Sequence, residues 1–438
     1  MITEPARDSV RSGAPTRSAV LITGTETEPR TFGKQVVLGG LLDHLCARLG
    51  PERVHVLLIG RERDRPQTPY GLRLLRAPTA AEQLRAVLTR VVPPPHSPLQ
   101  EAAFWSPRLR DEIGRALAEI GADLEIWDTM RTGQYATALP RRPRALYADD
   151  LFSKRYATML DRMRADPSPM GNPLGEVGKM LPGIAQAVVA RPFVHRPLLR
   201  LERRLTALSE ERAPAQFDAT ILVNPQETAE LTQRSGSTTV RTLLPLLPPG
   251  VGRPRQFDGS RTFVSLGSLG FPPNRDGLTW FLRECRDDVL AAAPDFRLLL
   301  IGRGTDEPPA EASDWGDHVR PLGWVNDLDD VLLSAAGLLS PLRTGSGIKI
   351  KVLEALSRGL PVVATPQGVL GLDVGPEDGC LVADTPGALA RRLVEAADPV
   401  RNRELSDAAA ASWARTYAPE VVAKAYDEVL RLDERASG

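Results

Sequence analysis

The residues of this chain that are best suited to chemistry lie between Thr344 and Val363, in the order Thr-Gly-Ser-Gly-Ile-Lys-Ile-Lys-Val-Leu-Glu-Ala-Leu-Ser-Arg-Gly-Leu-Pro-Val-Val. A loop with two glycines, Gly345 and Gly347, runs into an amphipathic helix and then into a buried strand. The first N–H groups of a helix lack intrahelical partners and lie at the positive end of its dipole, so they can hold a phosphate. The pattern therefore predicts an anion site that needs no metal.

Charged side chains follow this loop at helical spacing. Lys349 and Lys351 add positive charge, and Glu354 follows Lys351 within one turn. A carboxylate placed there can accept two hydrogen bonds from a vicinal diol such as that of a ribose. The alternative is a plain loop followed by a surface pair of Lys351 and Glu354, worth roughly 0.2–0.5 kcal/mol. For an isolated motif of this length the alternative is favoured, but the surrounding sequence reverses that preference.

Polar residues in the first half also follow predicted strands. Asp128, Arg131 and Gln134 come after a strand that ends at Trp127, and ligands collect at the carboxyl ends of parallel strands. Asp149 and Asp150 either cap a helix that begins near Leu151, which the pattern favours, or take part in ligand binding.

The loop from Gly24 to Lys34 superficially resembles a P-loop. Its spacing differs, and Gln35 cannot replace the Ser or Thr that binds magnesium, so we reject a nucleoside triphosphatase. His44 and His195 fall in predicted helices, where a structural role is favoured. No catalytic triad is recognisable.

Composition narrows the class of protein. The 438 residues fit two α/β domains, and 55 basic residues balance 55 acidic ones, which disfavours a nucleic-acid partner. Three cysteines that lie far apart fit neither a disulfide framework nor a zinc site, so we expect a reduced, cytoplasmic protein. Residues 1–17 read as a loose tail without the apolar run of a signal peptide. No transmembrane segment is predicted, and contact with a membrane surface is left open.

The apolar pattern predicts two doubly wound halves. A strand (18–23), a glycine loop, a helix (34–49) and a strand (53–59) open the first half. The pattern restarts after the proline-rich segment Pro245–Pro254, with predicted strands at 262–266 and 297–301 and predicted helices at 274–290 and 326–335. Residues 166–200 are predicted to form helices beside the cleft or a lid. The predicted divisions are a tail (1–17), a first Rossmann-like domain (18–244), a linker (245–260), a second Rossmann-like domain (261–400) and C-terminal helices free to cross back onto the first domain (401–438).

Four blocks in the second half carry a family resemblance. They are Phe263–Phe281, Leu299–Gly302, Pro321–Asp330 and Gly345–Val363. In order and spacing they resemble the donor-binding half of the GT-B glycosyltransferases of family 4. The resemblance implies the α/β GT-B fold, in which a cleft separates two Rossmann-like domains, and a sugar transferase that acts with retention and without a metal.

The resemblance also implies residue roles. Glu354 matches the second glutamate of a Glu-x7-Glu motif, which holds the ribose, whereas Ser346 stands where the first glutamate is usual. A sub-branch with Gly-Ser-Gly-x-x-x-Lys is more similar and points to Lys351 as the main charge. The candidate catalytic residues are thus Lys351, Glu354 and Ser346. The donor-side candidates are Gly345, Gly347, Ile348, Lys349, Gly302, Arg303, Asn274, Arg275, Trp324 and Gly33, and the acceptor-side candidates are Asp128, Arg131, Gln134, Asp149 and Asp150.

The implied reaction needs no cofactor beyond its co-substrate, a nucleotide-diphosphate sugar, with a UDP-sugar slightly preferred. The partner would be a hydroxyl acceptor that the sequence does not identify. Two alternatives stay open at this point: a nucleotide-sugar epimerase of the same fold, and a nucleotide-sugar-binding protein that lost turnover together with the first glutamate.

Overall fold

A computed structural model describes residues 15–30, 33–60, 67–91, 96–165, 192–248, 253–345 and 347–432 of the chain. Its first half is built on a seven-stranded sheet in which all neighbours are parallel, in the order β3-β2-β1-β4-β5-β6-β7. The strands are β1 (Ala19–Thr23), β2 (Val54–Gly60), β3 (Gly71–Arg76), β4 (Leu124–Asp128), β5 (Arg144–Asp149), β6 (Ala219–Leu222) and β7 (Val240–Thr242).

Helices cover both faces of this sheet, which explains why β1 and β4 are buried at every residue. Several helices begin where the sequence supplies a cap: Asn224 accepts the N–H of Gln226, and Ser106 accepts that of Leu109. The helices are α1 (Gly33–Leu49), α2 (Ala80–Arg90), α3 (Leu99–Phe104), α4 (Pro107–Ile120), α5 (Thr129–Gly133), α6 (Phe152–Ala165), α7 (Pro192–Arg212) and α8 (Pro225–Ser235).

The second half repeats this architecture around a six-stranded parallel sheet in the order β10-β9-β8-β11-β12-β13. Its strands are β8 (Thr262–Leu266), β9 (Arg297–Ile301), β10 (Val319–Gly323), β11 (Gly337–Ser340), β12 (Val362–Ala364) and β13 (Cys380–Val382). Its helices are α9 (Pro272–Glu284), α10 (Arg286–Ala292), α11 (Asp329–Leu332), α12 (Ile350–Leu356), α13 (Pro386–Ala397) and α14 (Pro399–Ser412).

Each sheet has one point at which the strand order reverses. It lies between β1 and β4 in the first sheet and between β8 and β11 in the second. In open parallel sheets, ligands bind outside the carboxyl ends of the strands at such a switch point. The two switch points therefore mark where functional side chains are expected.

The last helix, α15 (Pro419–Leu430), returns to the first sheet, as the sequence predicted. Tyr426 and Leu430 are buried in the core that surrounds β1 and α1, and Asp427 accepts from the ring of His44 at 2.9 Å. Leu432 forms a parallel bridge with Thr16. The chain thus leaves the first core once and enters it again.

Several predicted elements differ from the structure. Strands β3 and β7 were not predicted. The helix predicted from Asn274 to Leu290 is divided at Cys285 into α9 and α10, and the one predicted from Asn326 to Ala335 is reduced to α11. Of the segment 166–200, residues 166–191 lie outside the described residues, and the rest begins α7. The predicted domain limits stay predictions.

Candidate functional site

The side chain of Lys351 lies at the switch point of the second sheet. Its ammonium donates to the carbonyl oxygen of Leu266, the last residue of β8, and to Oδ1 of Asn274 at the start of α9, both at 2.9 Å. Burial and then the nearby charge of Lys349 lower the pKa of Lys351 to about 7, against the attraction of Glu354. The alternative interpretation, a surface pair of Lys351 with Glu354, is therefore wrong, because the Lys351 ammonium donates its hydrogen bonds to Leu266 and Asn274.

Asn274 links this lysine to the glycine loop that follows β8. Its Nδ2 donates to the carbonyl oxygen of Ser268 at 3.0 Å. Gly267 and Gly302 approach so closely that a Cβ on Gly302 would lie 2.5 Å from the Gly267 oxygen, and Gly302 has φ of 134°. Arg275 donates from Nε to the oxygen of Leu269 at 3.3 Å. The predicted donor-side residues of β8 and β9 are thus brought together, and only glycine fits at position 302.

The loop of residues 344–349, here called the donor loop, precedes α12. Gly345 and Gly347 have φ of 115° and 70°, and Lys349 folds back so that Nζ donates to the Gly347 oxygen at 2.8 Å. Ser346 lies outside the described residues. The sequence pattern predicts a helix start at Ile348, but Lys349 is still extended. The helix therefore begins at Ile350, and it has only 7 residues. Charge on Lys349 and Lys351 therefore contributes more to the attraction of an anion at this site than the dipole of such a short helix does.

Burial lowers the pKa of Lys349 to about 8, against the attraction of Asp150 and Glu227. These two carboxylates belong to the first half of the chain, so the donor loop already lies across the cleft. Ile348 and Ile350 pack against the cores of both sheets. A Cβ on Gly33, the first residue of α1, would lie 3.6 Å from Cγ1 of Ile350. Gly33 thus faces the start of α12, and its role in donor binding stays a prediction.

Glu354 lies on α12 one turn after Lys351. Partial burial raises the pKa of its carboxyl, against the charges of Arg358 and Lys351. Within the described part of the chain, its carboxylate makes no hydrogen bond or ion pair. Arg358 instead donates from Nε to Asp329 at 2.6 Å. Glu354 is therefore available to accept hydrogen bonds from a ligand diol.

Exposed aromatic side chains lie along the same edge of the second sheet. Trp324, which follows β10, is 54% exposed, and Phe271, before α9, is 51% exposed. The Arg303 guanidinium lies 5.5 Å from the centre of the Trp324 ring. Flat apolar surfaces beside a cation are suited to stacking with a planar ring.

The switch point of the first sheet holds a buried ionic cluster. Lys34 Nζ lies 2.7 Å from Oδ1 of Asp128 and 3.2 Å from Oδ2 of Asp149, and Thr23 donates to Asp128 at 2.7 Å. Burial opposes the charge of Lys34, but the two carboxylates outweigh it and raise its pKa. Asp149 and Thr129 have φ of 74° and 65°, a strained backbone for residues other than glycine. Sequence reasoning missed Lys34, although its position directly after Gly33 at the helix start was a usable signal.

The other acceptor-side candidates, Arg131, Gln134 and Asp150, have different surroundings. Arg131 and Asp150 border a cavity that is also lined by Met130, Phe152 and Tyr156. Gln134 is engaged elsewhere: Nε2 donates to the Glu101 and Arg131 oxygens, both at 2.8 Å. Their role in acceptor binding stays a prediction.

The expectation that Asp149 and Asp150 cap the next helix is wrong. The Leu151 N–H donates to Glu227 at 2.8 Å and the Ser153 N–H donates to Glu210 at 3.0 Å. Asp150 instead accepts from Arg155 at 2.9 Å. The glutamates reach this helix start from α7 and α8, which a local pattern does not reveal.

Among the described residues, no group of three or more His, Cys, Asp or Glu side chains is placed to hold a metal ion. No helix in the described part of the chain has the length and apolar character needed to cross a bilayer.

Residues 260–398 match the model of the family described as Glycosyl transferases group 1. A curated protein of Klebsiella pneumoniae, described as an uncharacterized 44.6 kDa protein in the cps region, is 25% identical over 137 residues, 30% of this chain. The match spans only 35% of that relative's length. The predicted resemblance of the second half to glycosyltransferases is confirmed over these residues, whereas the assignment to family 4 stays a prediction.

The fold is shared over nearly the whole chain. Sucrose-phosphate synthase from Thermosynechococcus elongatus aligns with a TM-score of 0.63 at 17% identity over 95% of this chain and 98% of its own. WaaG, a glycosyltransferase involved in lipopolysaccharide biosynthesis, aligns with a TM-score of 0.59 at 15% identity over 94% of this chain and 99% of its own. The Anabaena protein HepE in complex with UDP aligns with a TM-score of 0.57 at 12% identity over 94% of this chain and 99% of its own. The protein has the GT-B fold, as predicted.

Proposed function

We propose that the protein is a glycosyltransferase that moves a sugar from a nucleotide-diphosphate donor to an acceptor hydroxyl, with retention of configuration and without a metal. The observation that carries this proposal is the position of Lys351. It lies inside the segment that matches the glycosyltransferase model and at the switch point of the second sheet. A UDP-sugar is the preferred donor, since a protein of the same fold, HepE, binds UDP.

The chemical role of Lys351 follows from where charge develops. When the glycosidic bond breaks, the diphosphate leaving group gains negative charge. Two hydrogen bonds hold the Lys351 amine in place beforehand, and a bound diphosphate favours its charged form. The charged amine then stabilises the leaving group with little reorganisation, and partial burial strengthens the interaction. Glu354 would bind the ribose diol, and the pair of Arg303 and Trp324 would lie near the base.

The acceptor would enter from the first half of the chain. Asp128 and Asp149 lie at the carboxyl ends of β4 and β5, where Lys34 fixes both carboxylates. Carboxylates held in this way can accept hydrogen bonds from an incoming hydroxyl. The switch point of the first sheet would thus bind the acceptor, and that of the second sheet would bind the donor.

The proposed function can be tested with a panel of nucleotide sugars and simple hydroxyl acceptors. We expect release of a nucleoside diphosphate that EDTA does not suppress. At 100 times its dissociation constant, the matching diphosphate should add about 2.7 kcal/mol to the free energy of unfolding and raise the melting temperature. An altered sugar without transfer would indicate an epimerase. Binding without turnover would indicate a silent protein, and loss of activity in EDTA that magnesium restores would refute metal independence.

Binding of UDP should take up protons above pH 7. Lys351 has a lowered pKa of about 7 in the free protein, so it is largely neutral at pH 8, whereas a diphosphate favours its charged form. Calorimetric titrations at pH 8 in two buffers of different ionisation enthalpy measure this uptake. In Lys351→Met only the contribution of Lys349, whose pKa is lowered to about 8, should remain. Equal uptake in the variant and the native protein would contradict the assignment.

A further inference from the structure

A glutamate of the first half contacts the donor loop of the second. Glu227 lies in the first turn of α8, and its side chain is 1% exposed. It accepts the N–H of Leu151 at 2.8 Å and, across the cleft, the backbone N–H of Gly347. A single carboxylate thus holds the start of α6 and the donor loop together.

Neighbouring groups reinforce this contact. Oδ2 of Asp150, which is 5% exposed, would lie 3.5 Å from a Cβ on Gly347. Lys349 interacts electrostatically with both Asp150 and Glu227, and Arg155 bonds to Asp150 at 2.9 Å. Two acidic side chains therefore lie near two basic side chains, with one basic side chain supplied from each half of the chain.

The same end of α8 makes a second contact across the cleft. Asn224, the cap of α8, lies against Gly371, where a Cβ would be 3.0 Å from its Nδ2. Asn224 Nδ2 also lies 3.4 Å from Oε1 of Glu227. The cap and the glutamate are thus fixed as a unit against the second half, so Glu227 has little freedom to release the loop.

We propose that Glu227, together with Asp150, positions the donor loop, so that the first half of the chain takes part in donor binding. This inference rests on the proposed function, because it assigns the donor to that loop. The Glu227 side chain sets the direction of the Gly347 N–H. Without this anchor, the loop would have to be ordered by the donor itself, which would weaken donor binding.

Glu227→Gln tests the proposal, with Glu230→Gln as the matched control on the same helix. Glu230 pairs with Lys154 and Arg234, and among the described residues no hydrogen bond or ion pair joins it to the donor loop. We expect the donor KM of Glu227→Gln to rise roughly threefold to tenfold, the effect of one lost hydrogen bond, with the acceptor KM unchanged. A purely structural role would lower the amount of active, folded protein and leave the donor KM at the native value. If Glu227→Gln does not fold, Asp150→Asn tests the positioning of the donor loop from the segment between β5 and α6.

Hydrogen exchange separates this proposal from the proposed function. In the free protein, peptides that cover residues 344–349 should exchange faster in Glu227→Gln than in the native protein or in Glu230→Gln. Faster exchange without any nucleotide binding by the native protein would refute the donor assignment and leave the contact intact. Native exchange and a native donor KM in Glu227→Gln would overturn the positioning role.

Discussion

Lys351→Ala is expected to lower kcat by roughly 100- to 1,000-fold, the usual effect of removing one group that stabilises developing negative charge. The donor KM should change much less, because the charge on the leaving group grows mainly in the transition state. Steady-state kinetics with the UDP-sugar that proves active would measure both constants. A rise in the donor KM at native kcat would show that Lys351 serves ground-state binding only.

Two control variants separate charge from packing. Lys351→Met keeps the aliphatic stem but removes the ammonium, so it should lose kcat as the alanine variant does. Lys424→Ala removes an exposed lysine of α15 and should leave kinetics unchanged. Loss of the Lys351 ammonium leaves the Leu266 and Asn274 oxygens without this donor, which costs about 1–3 kcal/mol of stability where they are buried. Circular dichroism at the assay temperature verifies that the variants are folded.

Glu354→Ala is expected to act on donor binding instead. The ribose is unchanged during the reaction, so a group that binds it contributes equally to the ground and transition states. A hydrogen bond to a charged group is worth about 1.5–3 kcal/mol, so the donor KM should rise roughly 10- to 100-fold at nearly native kcat. Steady-state kinetics and the calorimetric dissociation constant of UDP should change together.

The ribose assignment has its own controls. Glu404→Ala removes an exposed carboxylate of α14 that pairs with Arg401 and should behave as the native protein does. A donor with a 2′-deoxyribose should bind the native protein more weakly but should lose little further affinity in Glu354→Ala. If the deoxy donor and the substitution weaken binding additively, Glu354 contacts another part of the donor.

The parts of the fold that were predictable are those with a strong local pattern. Strands such as β1, β8 and β9 are short apolar runs that end near glycine, and their predicted limits differ from the structure by at most one residue. The strand β3 was missed because it lies at the edge of the sheet, and its sequence Gly-Leu-Arg-Leu-Leu-Arg is half exposed. The strand β7 has only 3 residues, too few for a period to be detected.

The residues of the candidate site likewise divide into those that a local sequence pattern predicts and those that it does not. The donor loop, Lys351 and Glu354 are close in sequence, so their spacing carried the prediction. The partners of Lys351 are not: Leu266 and Asn274 lie 85 and 77 residues away along the chain. Lys34 and Glu227 gain their roles only when strands and helices from distant segments meet. A single sequence specifies such contacts through packing and not through any local motif.

The path of the chain between the two cores restricts how the cleft can open. Leu246 packs in the core of the first sheet and Leu247 in that of the second, while Tyr417 belongs to the second core and Val422 to the first. The two halves are therefore joined by two covalent crossings, each only a few residues long. A body held at two points resists sliding and twisting but can still rotate about the line through them. We therefore expect opening to be a hinge motion about one axis, which moves the whole donor edge as a unit.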